Sequence, residues 1–458
     1  MESITDRPLA GGQGRMPSTP HEPRDDGLDA GAMPGRSLRA WLDRALGSAR
    51  NGDFARFWAA EATSAVGSQI TAVAMPLLAA LSLGASPMSV GVLTAAAGLP
   101  HLVFGLFAGA WVDRLRRRPI MIAADIGRAA LLATIPLAAW LGALSIELLI
   151  AVAFLDGALK VFFDIAYLAY VPTLVSRSQL VEANSKLEAT ASGAQVVGPA
   201  LGGAMVRLLG APLAILADAL TFLASALFLR GIRAQEPAPE PTRGSSVLSE
   251  VANGCGVVWR NGVLRALALA SAVTNFGAFI FLAVYVLYLT RTLGLGPGAV
   301  GLVFALGGVG ALFGSLLAGT IRARWGIGPT LVSSLALFGV FGLTILPAVV
   351  FPRYALPLIL VAEFMQWVVV VIFDINAMSL RQTITPDRLL GRVNGTMRFV
   401  VWGIRPAGSL LGGYLGGRIG LPAALAVGGL VMLVSFAPLL VSPIPRLRSL
   451  DPDVACSS

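Results

Sequence analysis

Apolar residues run in long blocks along this chain, separated by short polar or Gly/Pro-containing breaks. Twelve blocks stand out, at about 55–82, 88–111, 119–141, 147–171, 184–208, 212–231, 263–289, 298–321, 328–350, 355–379, 394–417 and 422–441. Each is near the ~20 residues a helix needs to cross the hydrocarbon of a bilayer. The breaks carry turn signals, among them Gly84-Ala85-Ser86-Pro87, Gly210-Ala211-Pro212 and Leu421-Pro422. The pattern predicts an all-α membrane protein with 12 transmembrane helices. Three stretches lack it: a tail over 1–50, expected to be disordered, a linker over 233–261, and a second tail over 443–458. The linker opens Pro-rich and closes, over Ser245 to Arg260, as an amphipathic surface helix; Ser37 to Ala49 reads as a short surface helix or a flexible tether.

Composition agrees with this reading. Of 458 residues, 56% are hydrophobic and 13% charged, against roughly 25% charged in a soluble domain. The net charge of +9 is not a nucleic-acid footprint, because the arginines gather in loops on one side. With the N-terminus inside, inside segments hold 27 Arg or Lys and outside segments 4. Both termini are therefore expected in the cytoplasm, with the anionic lipids of the cell (inner) membrane as partners of the loops. Two cysteines, Cys255 and Cys456, fall in segments expected to face the cytosol, so neither a disulfide nor a metal site is expected. The chain has two His and no Ser/His/Asp, HExxH or phosphate-cradling pattern, so no enzyme, no cofactor and no direct use of ATP is expected.

The chain also repeats itself at a shift of 210 residues. Pro87 falls on Pro297, Gly91 on Gly301 and Gly109 on Gly319. Phe163-Asp164-Ile165 falls on Phe373-Asp374-Ile375, and Gly198, Gly202 and Gly203 fall on Gly408, Gly412 and Gly413. Six spans per unit, an even number, make the repeats parallel, related by a pseudo-two-fold axis along the membrane normal. The expected domains are six-helix bundles over 51–232 and 262–442, joined by the cytoplasmic linker.

Between spans 2 and 3 lies Gly109-Ala110-Trp111-Val112-Asp113-Arg114-Leu115-Arg116-Arg117-Arg118. Its Gly109, Asp113, Arg114, Arg117 and Arg118 resemble the gating loop of the major facilitator superfamily. The resemblance implies that Asp113 docks on a helix of the other half, near Gly391 to Gly395. A carboxylate is suited to a helix N-terminus; the competing reading is local ordering of the loop. Asp113 falls on Ala323 in the second repeat, so the loop carboxylate is in one half only. In span 5, Gly193, Gly198, Pro199, Gly202 and Gly203 resemble the signature of the antiporter branch, and physically they permit close helix packing. Phe54 to Trp58, Ser64 to Gln69 and Trp259-Arg260-Asn261 look like the macrolide-efflux and siderophore-exporter-like members, over about residues 52–442. The resemblance implies the major facilitator fold and a drug:proton antiporter.

Charges inside spans are expensive and mark candidate sites. In span 4, Asp156, Lys160 and Asp164 share a stripe at spacings of four. They read either as a proton site or as a permanent ion-pair ladder. Span 10 offers Glu363, span 1 Glu61, and span 11 Arg405, a candidate to bind an anionic group or to neutralise Glu363. Asp125, Arg128, Asp218 and Asp374 sit nearer the inner ends and read as gating ion pairs. His101 is a proton candidate or a packing histidine. By resemblance the coupling arginine would stand at Ala153, and it is missing. Phe276, Phe279, Tyr285, Tyr288, Trp367 and Trp402 are expected to line an apolar cavity. The expected function is export of an amphipathic organic compound by proton antiport and alternating access, by a monomer. The alternatives are a lipid or lysolipid flippase, or a transport-inactive sensor or scaffold.

Overall fold

The computed structural model describes residues 51–112, 114–236 and 255–448, and every regular element among them is helical. The first half holds α1 (Gly52–Leu77), α2 (Pro87–Val112), α3 (Arg117–Trp140), α4 (Ile146–Leu174), α5 (Leu180–Leu209) and α6 (Ala211–Arg230). The second holds α7 (Gly262–Leu287), α8 (Pro297–Trp325), α9 (Ile327–Leu343), α10 (Ala355–Ile384), α11 (Asp387–Gly403), α12 (Arg405–Arg418) and α13 (Leu421–Val434). Helices α11 and α12 are one span broken at Ile404, next to Pro406, which has no N–H to give the preceding turn. Among the described residues, nine helical segments are long and apolar enough to cross a membrane by themselves. Asp113, the N-terminal tail and residues 237–254 of the linker lie outside the described residues; of the expected surface helix, residues 255–260 are described and are helical.

The 210-residue repeat reaches the backbone. Asn51 caps α1, its side-chain oxygen accepting the Asp53 N–H at 3.1 Å. Asn261 caps α7 in the same way, accepting from Val263 and Leu264 at 3.0 Å. Both first helices end in a π-helical turn, Leu78–Ser82 and Tyr288–Thr292. Each π turn is followed by a glycine at positive φ, Gly84 at 58° and Gly294 at 66°. A side chain at either position would strain a left-handed backbone.

Packing repeats as well. In the first half α1 lies on α5 and α6, α2 on α4, and α3 on α4 and α6. In the second, α7 lies on α12 and α13, α8 on α10, and α9 on α10 and α13. The halves join crosswise through α2 with α12 and α5 with α8. Both joints depend on bare backbone. A Cβ on Gly91 would stand 2.9 Å from the Cα of Gly413, and one on Gly203 would stand 2.7 Å from the Cα of Gly301. All four residues lie in the helix halves remote from the arginine-rich loops. Toward those loops, Cβ atoms on Gly105, Gly193, Gly319 and Gly391 would meet nothing within 4 Å. Among the described residues, the close backbone contacts between the halves thus lie at the arginine-poor end and toward mid-helix, where Gly308 meets Gln195, and not beside the arginine-rich loops.

Candidate transport site

Two buried polar clusters, one in each half, flank a polar belt where the halves face each other. In the first half the centre is Arg128 on α3. Its Nε donates to Asp156 Oδ1 on α4 at 2.9 Å and its Nη2 to Oδ2 at 3.3 Å. Its guanidinium carbon also lies 3.9 Å above the centre of the Phe222 ring on α6. Asp125 and Asp218 are fully buried nearby. Asp125 Oδ2 accepts from Ser225 at 2.6 Å, and Asp218 Oδ1 accepts from Thr221 at 3.0 Å. Asp125 Oδ1 has no hydrogen-bond partner, and Asp218 lies beside the Thr71 hydroxyl. Buried acceptors left this way are rare because each forfeits its hydration.

The span-4 stripe is thus divided. Asp156 is committed to Arg128, across to another helix, while Lys160 donates to Asp164 Oδ1 at 3.0 Å one turn on. The Lys160–Asp164 pair is more than 40% exposed and the Arg128 side chain only 6%. Only the inner pair is a fixed structural element by burial. Glu61 on α1 is half-buried.

In the second half Glu363 is buried on α10. Its Oε2 accepts from the Tyr285 hydroxyl on α7 at 2.8 Å, and its Oε1 from the Trp367 indole at 2.9 Å. Among the described residues no cation pairs with it. Arg405 is engaged elsewhere: it donates to Asn275 Oδ1 at 3.0 Å and stacks near the Phe279 and Trp402 rings, at 5.1 and 5.0 Å. It does not neutralise Glu363. The expected aromatic lining also divides. Tyr285 and Tyr288 are buried inside the second bundle, Tyr288 donating to the Ile345 carbonyl at 3.0 Å. Phe279 and Trp402 instead surround Arg405.

The belt joins the halves. The His101 ring on α2 lies 4.3 Å from the Trp402 ring on α11, and its Nε2 has no hydrogen-bond partner. His101 of the first half and Trp402 and Arg405 of the second therefore meet where the two halves face each other. Asp374 is the repeat partner of Asp164.

Sequence reading missed two features. Arg291, at the end of the π turn after α7, donates to the Ala80 and Ala85 carbonyls of the first half at 3.0 and 2.8 Å. It stands at the arginine-poor end, and the repeat offers a weak signal for it, since Leu81 is its counterpart. Glu236 is the other. Its carboxylate accepts the Arg117 and Arg118 N–H groups, both at 2.7 Å, at the start of α3. That favours the positive end of the helix dipole. Of the remaining loop residues, Arg114 is exposed and a Cβ on Gly109 would meet nothing within 4 Å. In the span-5 motif, Gly198 and Gly202 face α1 at Gln69 and Ile70, and Gly203 faces α8, while a Cβ on Gly193 would meet nothing within 4 Å. The motif seats α5 between its own bundle and the other half.

Comparison with known proteins places this geometry. A family described as "transmembrane secretion effector" matches residues 44–456. The multidrug efflux pump Tap of Mycolicibacterium fortuitum is 30% identical over 400 residues, covering 85% of this chain and 95% of the pump. Tap of Mycobacterium tuberculosis is 28% identical over 411 residues, covering 85% and 92%. Among solved structures, a bacterial homologue of the iron transporter ferroportin, in an inward-facing state, superposes with a TM-score of 0.70 at 16% identity, covering 85% of this chain and 98% of that one. The nucleoside transporter NupG superposes with a TM-score of 0.67 at 12% identity.

Proposed function

We propose a transport cycle from one premise: this chain belongs to the major facilitator superfamily, in its family of transmembrane secretion effectors. It is a multi-pass membrane transporter and not an enzyme. The finer reading is efflux of an amphipathic organic compound in exchange for protons, in the cytoplasmic membrane with both termini inside. The likeness to the Tap pumps supports efflux. In that orientation the present state faces inward, closed at the outer end and open to the cytoplasm. Cargo enters between the arginine-rich ends, where Trp402, Phe279 and Arg405 present apolar surface and a cation.

The observation that carries proton coupling is Glu363. A buried carboxylate without a cation is costly when ionised and tolerable when protonated. Hydroxyl and indole donors from Tyr285 and Trp367 lower that cost without removing it. Glu363 is the proton-bearing group in this reading, and the exposed Lys160–Asp164 pair faces the cargo path. Asp156 is not, because its charge is held by Arg128. Inverted membrane vesicles with an imposed pH gradient test this. A lipophilic cationic dye is expected to accumulate in wild-type vesicles only while the gradient lasts. Accumulation that ignores the gradient would remove proton antiport from the account. Gradient-independent movement of fluorescent lysolipid, with no dye uptake, would favour the flippase reading.

A further inference from the structure

A second site lies away from the central belt, on the flank of the first half. Between the first turn of α3 and the last turn of α6 there is a cleft of about 1100 Å³. Arg116, Arg118, Arg230 and Arg233 stand at its mouth, and Ile126 and Leu227 are among the residues of its wall. Those two side chains are 50% and 68% exposed, on helices that cross the membrane. Arg118 is partly occupied: its Nε donates to the Leu229 carbonyl at 2.9 Å and its Nη2 to the Arg230 carbonyl. The side chains of Arg116, Arg230 and Arg233 are exposed, and among the described residues no carboxylate pairs with them. The single acid of the cleft, Glu236, is held by two backbone N–H groups. The mouth is thus cationic and unsatisfied, and the wall is greasy.

The internal repeat shows that the arginines of this cleft are particular to the first half. At a shift of 210, Arg116 falls on Gly326 and Arg118 on Gly328. There the chain's own segment after α13 lies across the start of α9. The Gly328 N–H donates to the Leu447 carbonyl at 3.0 Å. A Cβ on Gly326 would stand 3.2 Å from Arg448 Cα, and one on Gly328 would run into the Ile444 carbonyl. Both halves lay the segment after their last helix across the start of the third helix, but there the second half has bare glycines and the first has arginines beside a cleft.

We propose that this cleft binds an anionic phospholipid, its phosphate among Arg116, Arg230 and Arg233 and an acyl chain along Ile126 and Leu227. Guanidinium groups match phosphate oxygens in geometry and charge, and the site lies at helix ends, at headgroup depth. Delipidated full-length protein can be titrated with phosphatidylglycerol and with phosphatidylcholine and read by native mass spectrometry. Wild type is expected to bind phosphatidylglycerol about a hundredfold tighter, as three juxtamembrane cations together would give. The triple variant Arg116→Gln, Arg230→Gln, Arg233→Gln loses that preference, and the triple Lys variant keeps it. Arg233→Glu alone shifts binding in the same direction as the Gln variant and guards against misfolding of the triple. Equal binding of both lipids by wild type overturns the proposal, and would be the result if residues 237–254 filled the cleft. So does an unchanged preference in the Gln variant, an equal loss in the Lys variant, or glycerol phosphate binding as tightly as the lipid.

Discussion

Arg128 is the cation that the first half keeps in its interior, and its partner comes from another helix. Asp156 Oδ1 lies 2.9 Å from its Nε, and the arginine side chain is only 6% exposed. Removing one member of a buried pair leaves the other charge without compensation. Asp156→Asn should therefore lower stability by about 3 kcal/mol, read as a drop in melting temperature in detergent. The double variant Arg128→Met, Asp156→Leu should recover most of that loss. Glu363 predicts the opposite split. Glu363→Gln keeps an oxygen that can accept from the Trp367 indole and lets its amide N–H donate to the Tyr285 hydroxyl, while removing the titratable proton. Melting temperature and dye binding should stay near wild type, and gradient-driven uptake should fall about tenfold or more. These two pairings mark the limit of sequence reading. Spacing of four placed Lys160 beside both Asp156 and Asp164, and Lys160 does reach Asp164. Local spacing is blind to Arg128, 28 residues away, because that partner depends on how α3 packs against α4. Tyr285, 78 residues from Glu363, was hidden for the same reason and reads in sequence as one more aromatic of an apolar lining.

At the scale of elements, the apolar blocks and their breaks were legible because hydrophobic length is fixed by the bilayer. The repeat was legible too, down to the glycines Gly91, Gly203, Gly301 and Gly413 of the joints, whereas the two π turns were not. What periodicity does not carry is contact between elements. Arg291 at the end of the second π turn ties that turn to two carbonyls of the first half, and nothing local to its sequence reveals the receiving groups. Hydrogen bonds from a charged donor contribute about 1.5–3 kcal/mol each. Arg291→Gln should therefore shift the population by about tenfold or more away from closure at the arginine-poor end. Cysteine labelling at residues lining that end, before and after the substitution, measures the shift. Unchanged labelling would reduce Arg291 to a cap on its own turn.

For the whole molecule, closure rests on two crosswise joints with backbone at the contact. Gly301→Val would bring a Cβ to 2.5 Å from the Pro199 carbonyl and would wedge α5 from α8. Since backbone cannot yield as a side chain can, the expected effect is a transporter depleted in this state, with slowed uptake and near-normal dye affinity. Distances between spin labels on the two halves would report it as a wider separation at the arginine-poor end.

The break at Ile404 bears on how such a molecule rocks. The span it divides has a polar arm, α11, carrying Arg398 and Trp402, and a glycine-rich arm, α12, clamped against α2. A rod with a joint at mid-depth can swing its inner limb without loosening the outer one. Its counterpart in the first half, α5, continues unbroken through Pro199. Opening and closing would then be lopsided: a stiff lever on one flank, an elbow on the other, and cargo admitted past the elbow.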